Sequence, residues 1–203
     1  MKLDEKSAVV LADAKKNGVK FINLQFVDIL GIPKNCEITI NRFEDVLGEG
    51  LWFDGSSIEG FMRIFESDMF LKPDPNTFAT LPWSNGKTAR IICDVNLDDK
   101  TPFEGDPRHV LKRNLQKANE AGYKYFVGPE LEFFLFKRDA GGNPTTIPHD
   151  SADYFDLAPL DEADNVRQQV IPALEAMGIV VEMGHHEVAP GQHEIDFKYN
   201  DAL

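Results

Sequence analysis

Positive charge is in short supply: 21 Lys and Arg stand against 34 Asp and Glu, a net charge of −13. Phosphate backbones are bound by clustered basic side chains, so this balance excludes nucleic acid as a partner of the chain. It suits a protein that gathers divalent cations. Cysteine is scarcer still. Cys36 and Cys93 make no disulfide framework and read as small buried hydrophobes in a reducing cytosol. No apolar run approaches the ~18 residues that cross a bilayer. The N-terminus, "MKLDEKSAVVLADAKKNG", lacks a signal peptide's apolar core. A cytoplasmic protein without a membrane segment is expected. Neither GxxxxGK[ST] nor GxGxxG occurs, so any nucleotide is held by other means. Repeats and low-complexity stretches are also missing. What remains is ordinary globular material, 42% hydrophobic and 27% charged over 203 residues. That length serves one large domain or two small ones.

The pattern predicts a helix from Asp4 to Asn17 with Val9, Val10 and Leu11 inward. Alternation in "VKFINLQFVDILGIPKNCEITI" predicts a hairpin about the "DILGIP" turn. Asn41 with Glu44 three places later reads as the capping box of a short helix. "ARIICDVNL" reads as a buried strand. Together these make a small α+β domain over 1–103, with a second domain over 104–203. Asp106 and Pro107 open a helix as N-cap and first residue. "DAGGNPTTIPHDSADYFDLAP" reads as a long irregular segment of the functional kind. "DEADNVRQQVIPALEAMG" reads as a helix bent at Pro172, and "IVVEMGHHEVAPGQHEIDF" as strand, turn and returning strand.

The chemistry concentrates in acids. In "GPELEFFLF", Glu130 and Glu132 are two apart, so in a strand they share a face ~7 Å apart. A solvated strand face would explain them. Yet Phe134 and Phe136 continue that face while Leu131, Phe133 and Leu135 fill the other, which predicts a strand buried on both sides. Two acids there need a cation or buried arginines. Glu187 and Glu194 flank the Pro190–Gly191 turn, where a hairpin brings them face to face. His185, His186 and His193 do not have HExxH spacing, and each reads as a structural or outer-shell residue rather than a ligand. Four carboxylates on neighbouring strands would hold two hard cations, magnesium or manganese, of the kind that neutralise phosphate oxygens. "WFDGSSIEGF" places Asp54, Ser56 and Ser57 in a glycine-bounded turn among Trp52, Phe53 and Phe61. Those aromatics favour an interface or binding loop over a plain surface turn.

"FDGSSIEGF", "ESDMFLKPD", "GPELEFFLF", "DYFDLAP" and "HHEVAPGQHEIDF" resemble the type I bacterial and archaeal glutamine synthetases, in order and along essentially the whole chain. The resemblance implies a ligase that joins ammonium to glutamate with ATP and Mg²⁺ or Mn²⁺. The implied fold is a β-grasp domain followed by the first part of a catalytic α/β domain, an incomplete barrel. It also implies a cytoplasmic homo-oligomer of two stacked hexameric rings, with sites shared between neighbours. Glu132, Glu187 and Glu194 then correspond to ligands of a first metal, and Glu130 to a ligand of the second. Asp54 corresponds to the catalytic acid that binds and deprotonates ammonium. Ser57, Tyr154 and Glu187 line the same pocket, with Asp68 in its acidic neighbourhood. Glu182 and Tyr199 correspond to nucleotide contacts, and Arg63 to a regulatory arginine.

The family's polypeptide is longer, so the chain reads as its N-terminal portion, and it is expected to be inactive alone. A γ-glutamyl ligase for another amine and a non-catalytic oligomer of the same fold are the alternatives.

Overall fold

The structure, a computed structural model, describes residues 3–58, 60 and 68–203. Arg63 and Phe61, singled out above, lie outside the described residues. The chain divides after Tyr125 into two compact units.

The first unit opens with α1 (Glu5–Lys16), capped by Asp4, whose carboxylate accepts the Ser7 amide at 2.8 Å. The inner stripe is Ser7, Val10, Leu11 and Ala14, spaced i, i+3, i+4, i+7. Val9, expected inward, is 60% exposed because it falls off that stripe. β1 (Phe21–Val27) and β2 (Pro33–Thr39) form the expected antiparallel hairpin. Asp28 holds its turn by accepting the amides of Leu30 and Ile32, both at 2.9 Å. α2 (Ile40–Glu49) follows at once. Here the capping box fails: Thr39 is the N-cap, without a side-chain bond. Pairing of Thr39 with Phe21 carries the strand up to the helix, so Asn41 already lies inside it.

β3 (Leu51–Asp54), β4 (Asp68–Pro73), β5 (Ala79–Thr80) and β6 (Thr88–Asn96) complete a sheet of order β2-β1-β6-β4-β3, with β5 on β6. Among the described residues, β1–β6 is the one parallel pair of this sheet. Alternate residues of β1 (Ile22, Leu24, Phe26) and β6 (Ala89, Ile91, Cys93, Val95) join Phe43 and Val46 of α2 in one core. Each large side chain buried there contributes about 1.5–3 kcal/mol. Cys36 and Cys93 are unpaired, and burial pushes both thiols above their ordinary range. This is the β-grasp arrangement. α3 (Pro107–Glu120), opened by Asp106 as expected, also belongs to this unit. Arg108 fastens it, bonding Asp74 and Asp94, each at 2.6 Å.

The second unit contains β7 (Phe126–Val127), β8 (Glu130–Phe134), β9 (Phe136–Arg138), β10 (Pro144–Pro148), α4 (Asp164–Ala176), β11 (Val181–His186), β12 (Gln192–Phe197) and β13 (Asn200–Asp201). The expected long loop is therefore interrupted by the β9–β10 hairpin. β11, β12 and β8 form an antiparallel sheet in that order, and β13 pairs with β7. α4 packs on β11 so closely that a Cβ at Gly184 would stand 3.2 Å from the Ile171 Cδ1. That contact marks the covered face of the sheet.

β8 departs from expectation. It is the outer strand, and Leu131 and Phe134 are 54% and 48% exposed. Ile195, opposite Leu131 on β12, is fully buried, so the cover on that face fades from β12 to β8. Apolar composition marks a strand for burial without naming what buries it.

Candidate metal centre

Successive side chains of a strand leave opposite faces, and residues paired across strands leave the same one. On β12 this sends Glu194 and Asp196 to one face and His193 and Ile195 to the other. Glu194 is paired with Glu132 on β8 and with His185 on β11. Asp196 is paired with Glu130 and Met183. One sheet face therefore carries Glu130, Glu132, Glu194, Asp196 and His185. Glu187 joins them just past β11, where its amide donates to the Gln192 carbonyl at 2.8 Å and closes the hairpin.

The four predicted glutamates thus lie on one side of the sheet, but not equally buried. Glu194 is 7% exposed, whereas Glu130 and Glu132 are exposed because β8 is an edge. The Glu132 Oε2 accepts from the Gln192 Nε2 at 2.5 Å. Burial, the Glu187 carboxyl hydrogen-bonded to it, and the charge of Asp196 push the Glu194 carboxyl up to about 7. The Val188 amide holds Glu187 below its ordinary range, so a shared proton resides on Glu194.

Two members were not anticipated. His185, read from sequence as an outer residue, puts its Nε2 3.6 Å from Glu194 and 3.9 Å from Asp196. One ligand atom from each of His185, Glu194 and Asp196 falls within 4.8 Å of the others. Asp196 was legible by the same two-residue rule that grouped Glu130 with Glu132. A set of mostly carboxylate oxygens with one imidazole suits a hard divalent cation. The residues fit.

Tyr154 stands at this site, its ring edge-on to His185 at 5.4 Å. Partial burial and the fields of Glu187, Glu194, Asp196 and Glu130 raise its hydroxyl above the ordinary value. Phe155, at φ 59°, lays its ring 4.5 Å from His185 and 4.2 Å from Tyr154. Asp54 and Ser57 belong to the first unit. Asp54 ends β3 opposite Asp68, and its carboxylate accepts the Ser56 amide at 2.8 Å. Ser57 is exposed. Tyr199 lines a cleft of about 480 Å³ with Val127, Pro129, Val180 and Phe197. Glu182, exposed at a register irregularity of β11, is not in that lining.

The covered face holds a second polar cluster that sequence reasoning missed. His149, Asp150, Asp161 and His193 also bring ligand-type atoms within 4.8 Å. They do not make a cation site. The Arg167 Nη2 bonds Asp161 at 2.5 Å, and its Nη1 donates to the His193 Nδ1 at 2.7 Å. Guanidinium only donates, so Nδ1 accepts and the proton sits on Nε2, which cannot then ligate metal. Burial and the neighbouring Arg167 lower this imidazole to about 4 and keep it neutral.

Known proteins share this architecture. The profile described as "Glutamine synthetase, beta-Grasp domain" matches residues 18–98, and "Glutamine synthetase, catalytic domain" matches 104–203. A glutamine synthetase of Clostridium saccharobutylicum is 58% identical over 93% of this chain and 43% of its own. One from Halobacterium salinarum is 53% identical, covering 99% and 45%. One from Thermus thermophilus is 54% identical, covering 97% and 45%. The chain therefore spans less than half the length of these relatives. Among solved structures, a GmaS complex with ADP matches with a TM-score of 0.84 at 26% identity, covering 95% of this chain and 44% of that one. A Plasmodium falciparum glutamine synthetase matches with a TM-score of 0.79 at 25% identity, covering 99% and 46%. Both profiles and the close relatives agree: the chain belongs to the glutamine synthetase family.

Proposed function

We propose that the chain supplies the cation-binding carboxylates and the ammonium-binding loop of an ATP-dependent ligase that joins ammonium to glutamate. The observation that carries this reading is Glu194, buried beside Glu187 and Asp196 and directly across the sheet from Glu132. Glu132, Glu187 and Glu194 hold one divalent cation, magnesium or manganese, and Glu130 contributes to a second. His185 and Asp196 border that site and supply further donors. Bound there, such cations screen the charge of ATP's phosphates as a carboxylate approaches.

The chain's own residues do the rest. Asp54 attracts ammonium by its charge and accepts a proton from it, which frees the nitrogen lone pair for attack. Ser57, Tyr154 and Glu187 complete the ammonium pocket. The cleft beside Tyr199 takes the nucleotide, its ring offered to the adenine, with Glu182 as a further contact. The ADP bound in the related GmaS structure supports a nucleotide role. Asp54 serves the cradle of a neighbouring copy in a ring-shaped homo-oligomer, in the cytoplasm. The non-catalytic alternative is disfavoured, because a scaffold gains nothing from a buried carboxyl held against like charges.

Manganese titration followed by electron paramagnetic resonance tests the reading. Binding in the wild-type chain is expected to vanish in Glu132→Ala and Glu194→Ala. Equal binding in all three chains overturns it.

A further inference from the structure

The reading above needs Glu187 and Glu194 held at a set separation across a turn. One buried acid grips that turn from the covered side of the sheet. The Asp150 side chain is 1% exposed. Its Oδ1 accepts the Gly191 amide at 2.9 Å and lies 3.1 Å from the His186 Nε2. Its Oδ2 accepts the Glu162 amide at 3.2 Å. His186, fully buried, places its Nδ1 2.6 Å from the Glu187 carbonyl oxygen. A carbonyl and a carboxylate oxygen only accept, so both ring nitrogens of His186 donate. Gly191 sits at φ 72°, and a Cβ there would meet the Leu135 carbonyl at 2.8 Å. The turn therefore reaches Asp150 by its bare main chain. Through one amide and one imidazole, a single carboxylate holds both ends of the connection between Glu187 and Glu194.

We propose that Asp150 is a positioning residue for the cation cradle, fixing the spacing of Glu187 and Glu194 before a cation arrives. The proposal rests on the reading that these glutamates bind a divalent cation. Their mutual repulsion would otherwise spread the hairpin, and binding would have to close it again. Asp150 touches neither glutamate's side chain. It acts through the Gly191 amide and the His186 ring, as outer-shell partners of metal ligands do elsewhere.

The test is the Mn²⁺ dissociation constant of the wild-type chain and of Asp150→Asn, measured by electron paramagnetic resonance well below either unfolding temperature. Loss of affinity by ~10-fold or more, with an unchanged circular dichroism spectrum, is expected. A lower unfolding temperature with unchanged affinity makes Asp150 merely structural and overturns the proposal. If the wild-type chain itself binds no Mn²⁺, the functional reading fails first, which separates the two. Should Asp150→Asn not fold, hydrogen exchange on the wild-type chain decides. The Gly191 amide is expected to be protected without cation. Exchange at a solvent-exposed rate until Mn²⁺ is added overturns the preset spacing.

Discussion

Glu194 on β12 stands directly across from Glu132 on β8, and both side chains leave the same face of the sheet. One is buried and the other exposed, so the pair spans the boundary between protein and solvent. On the proposed reading, Glu132 would offer the water-facing oxygens of the cradle and Glu194 the desolvated charge that gains most from neutralisation.

Without metal, that burial costs stability in a known pH window. Glu194 titrates at about 7 in the folded chain, against ~4.3 for an unfolded glutamate. Between those values the folded state keeps a proton that the unfolded state releases, so stability falls as pH rises from about 4 to about 7 and then levels. Thermal melts in EDTA are expected to show Glu194→Gln gaining on the wild type over this range. Each kcal/mol is worth about 2–4 °C for a chain of this size. Manganese should restore the wild type alone. Parallel curves for the two chains would remove the electrostatic account of the site.

Acid should act oppositely on the first unit. Burial raises Asp74, but its bonds to Arg108 and the Asn76 amide outweigh burial and hold the carboxyl below its ordinary range. A lowered folded value means the stabilisation is complete above the unfolded pKa of about 3.9 and disappears as pH falls through the folded one. Asp74→Asn is therefore expected to lose about 2 kcal/mol at pH 7, the scale of a hydrogen bond to a charged group. The deficit should close as pH falls through the lowered folded value. A urea midpoint difference that stays constant with pH would count against the Arg108 contact.

At Gly184, α4 leaves little room on the sheet for a side chain. Any Cβ there meets Ile171 at 3.2 Å and the Glu194 carbonyl at 3.4 Å. Gly184→Val is expected to cost about 1–3 kcal/mol by overpacking and to weaken Mn²⁺ binding, since it pushes on the strand that carries Glu194. Gly184→Ala should do both to a smaller degree. Calorimetric unfolding and Mn²⁺ titration of the two variants check this. Wild-type affinity in a destabilised Gly184→Val would show that the cradle is indifferent to the helix behind it.

Much of this was legible in the letters. Asp106 followed by Pro107 marked α3, period-two alternation marked β1 and the hairpin of β11 and β12, and glutamate spacing grouped most of the cradle. The losses have one physical origin: periodicity tells which residues share a face, not what that face meets. Val9 is apolar and still points outward, because Ser7 and Ala14 occupy the inner stripe. Leu131 is apolar and exposed, because α4 packs on β11, two strands away from β8. Asn41 lost its cap because β2, with Thr39 opposite Phe21, runs straight into α2. His186 lies 36 residues from Asp150 and His193 lies 26 from Arg167, and nothing local announces that they meet.

The two faces of β12 carry incompatible cargo, and this makes the strand its own proofreader. Shifting its alignment by a single position would thrust Glu194 and Asp196 into the dry layer beneath α4 and expel Ile195 into water. Both exchanges are heavily unfavourable. The same acids that are costly to bury also forbid the commonest misassembly of the sheet, so the letters that gather the carboxylates on one face also hold the strand to its alignment.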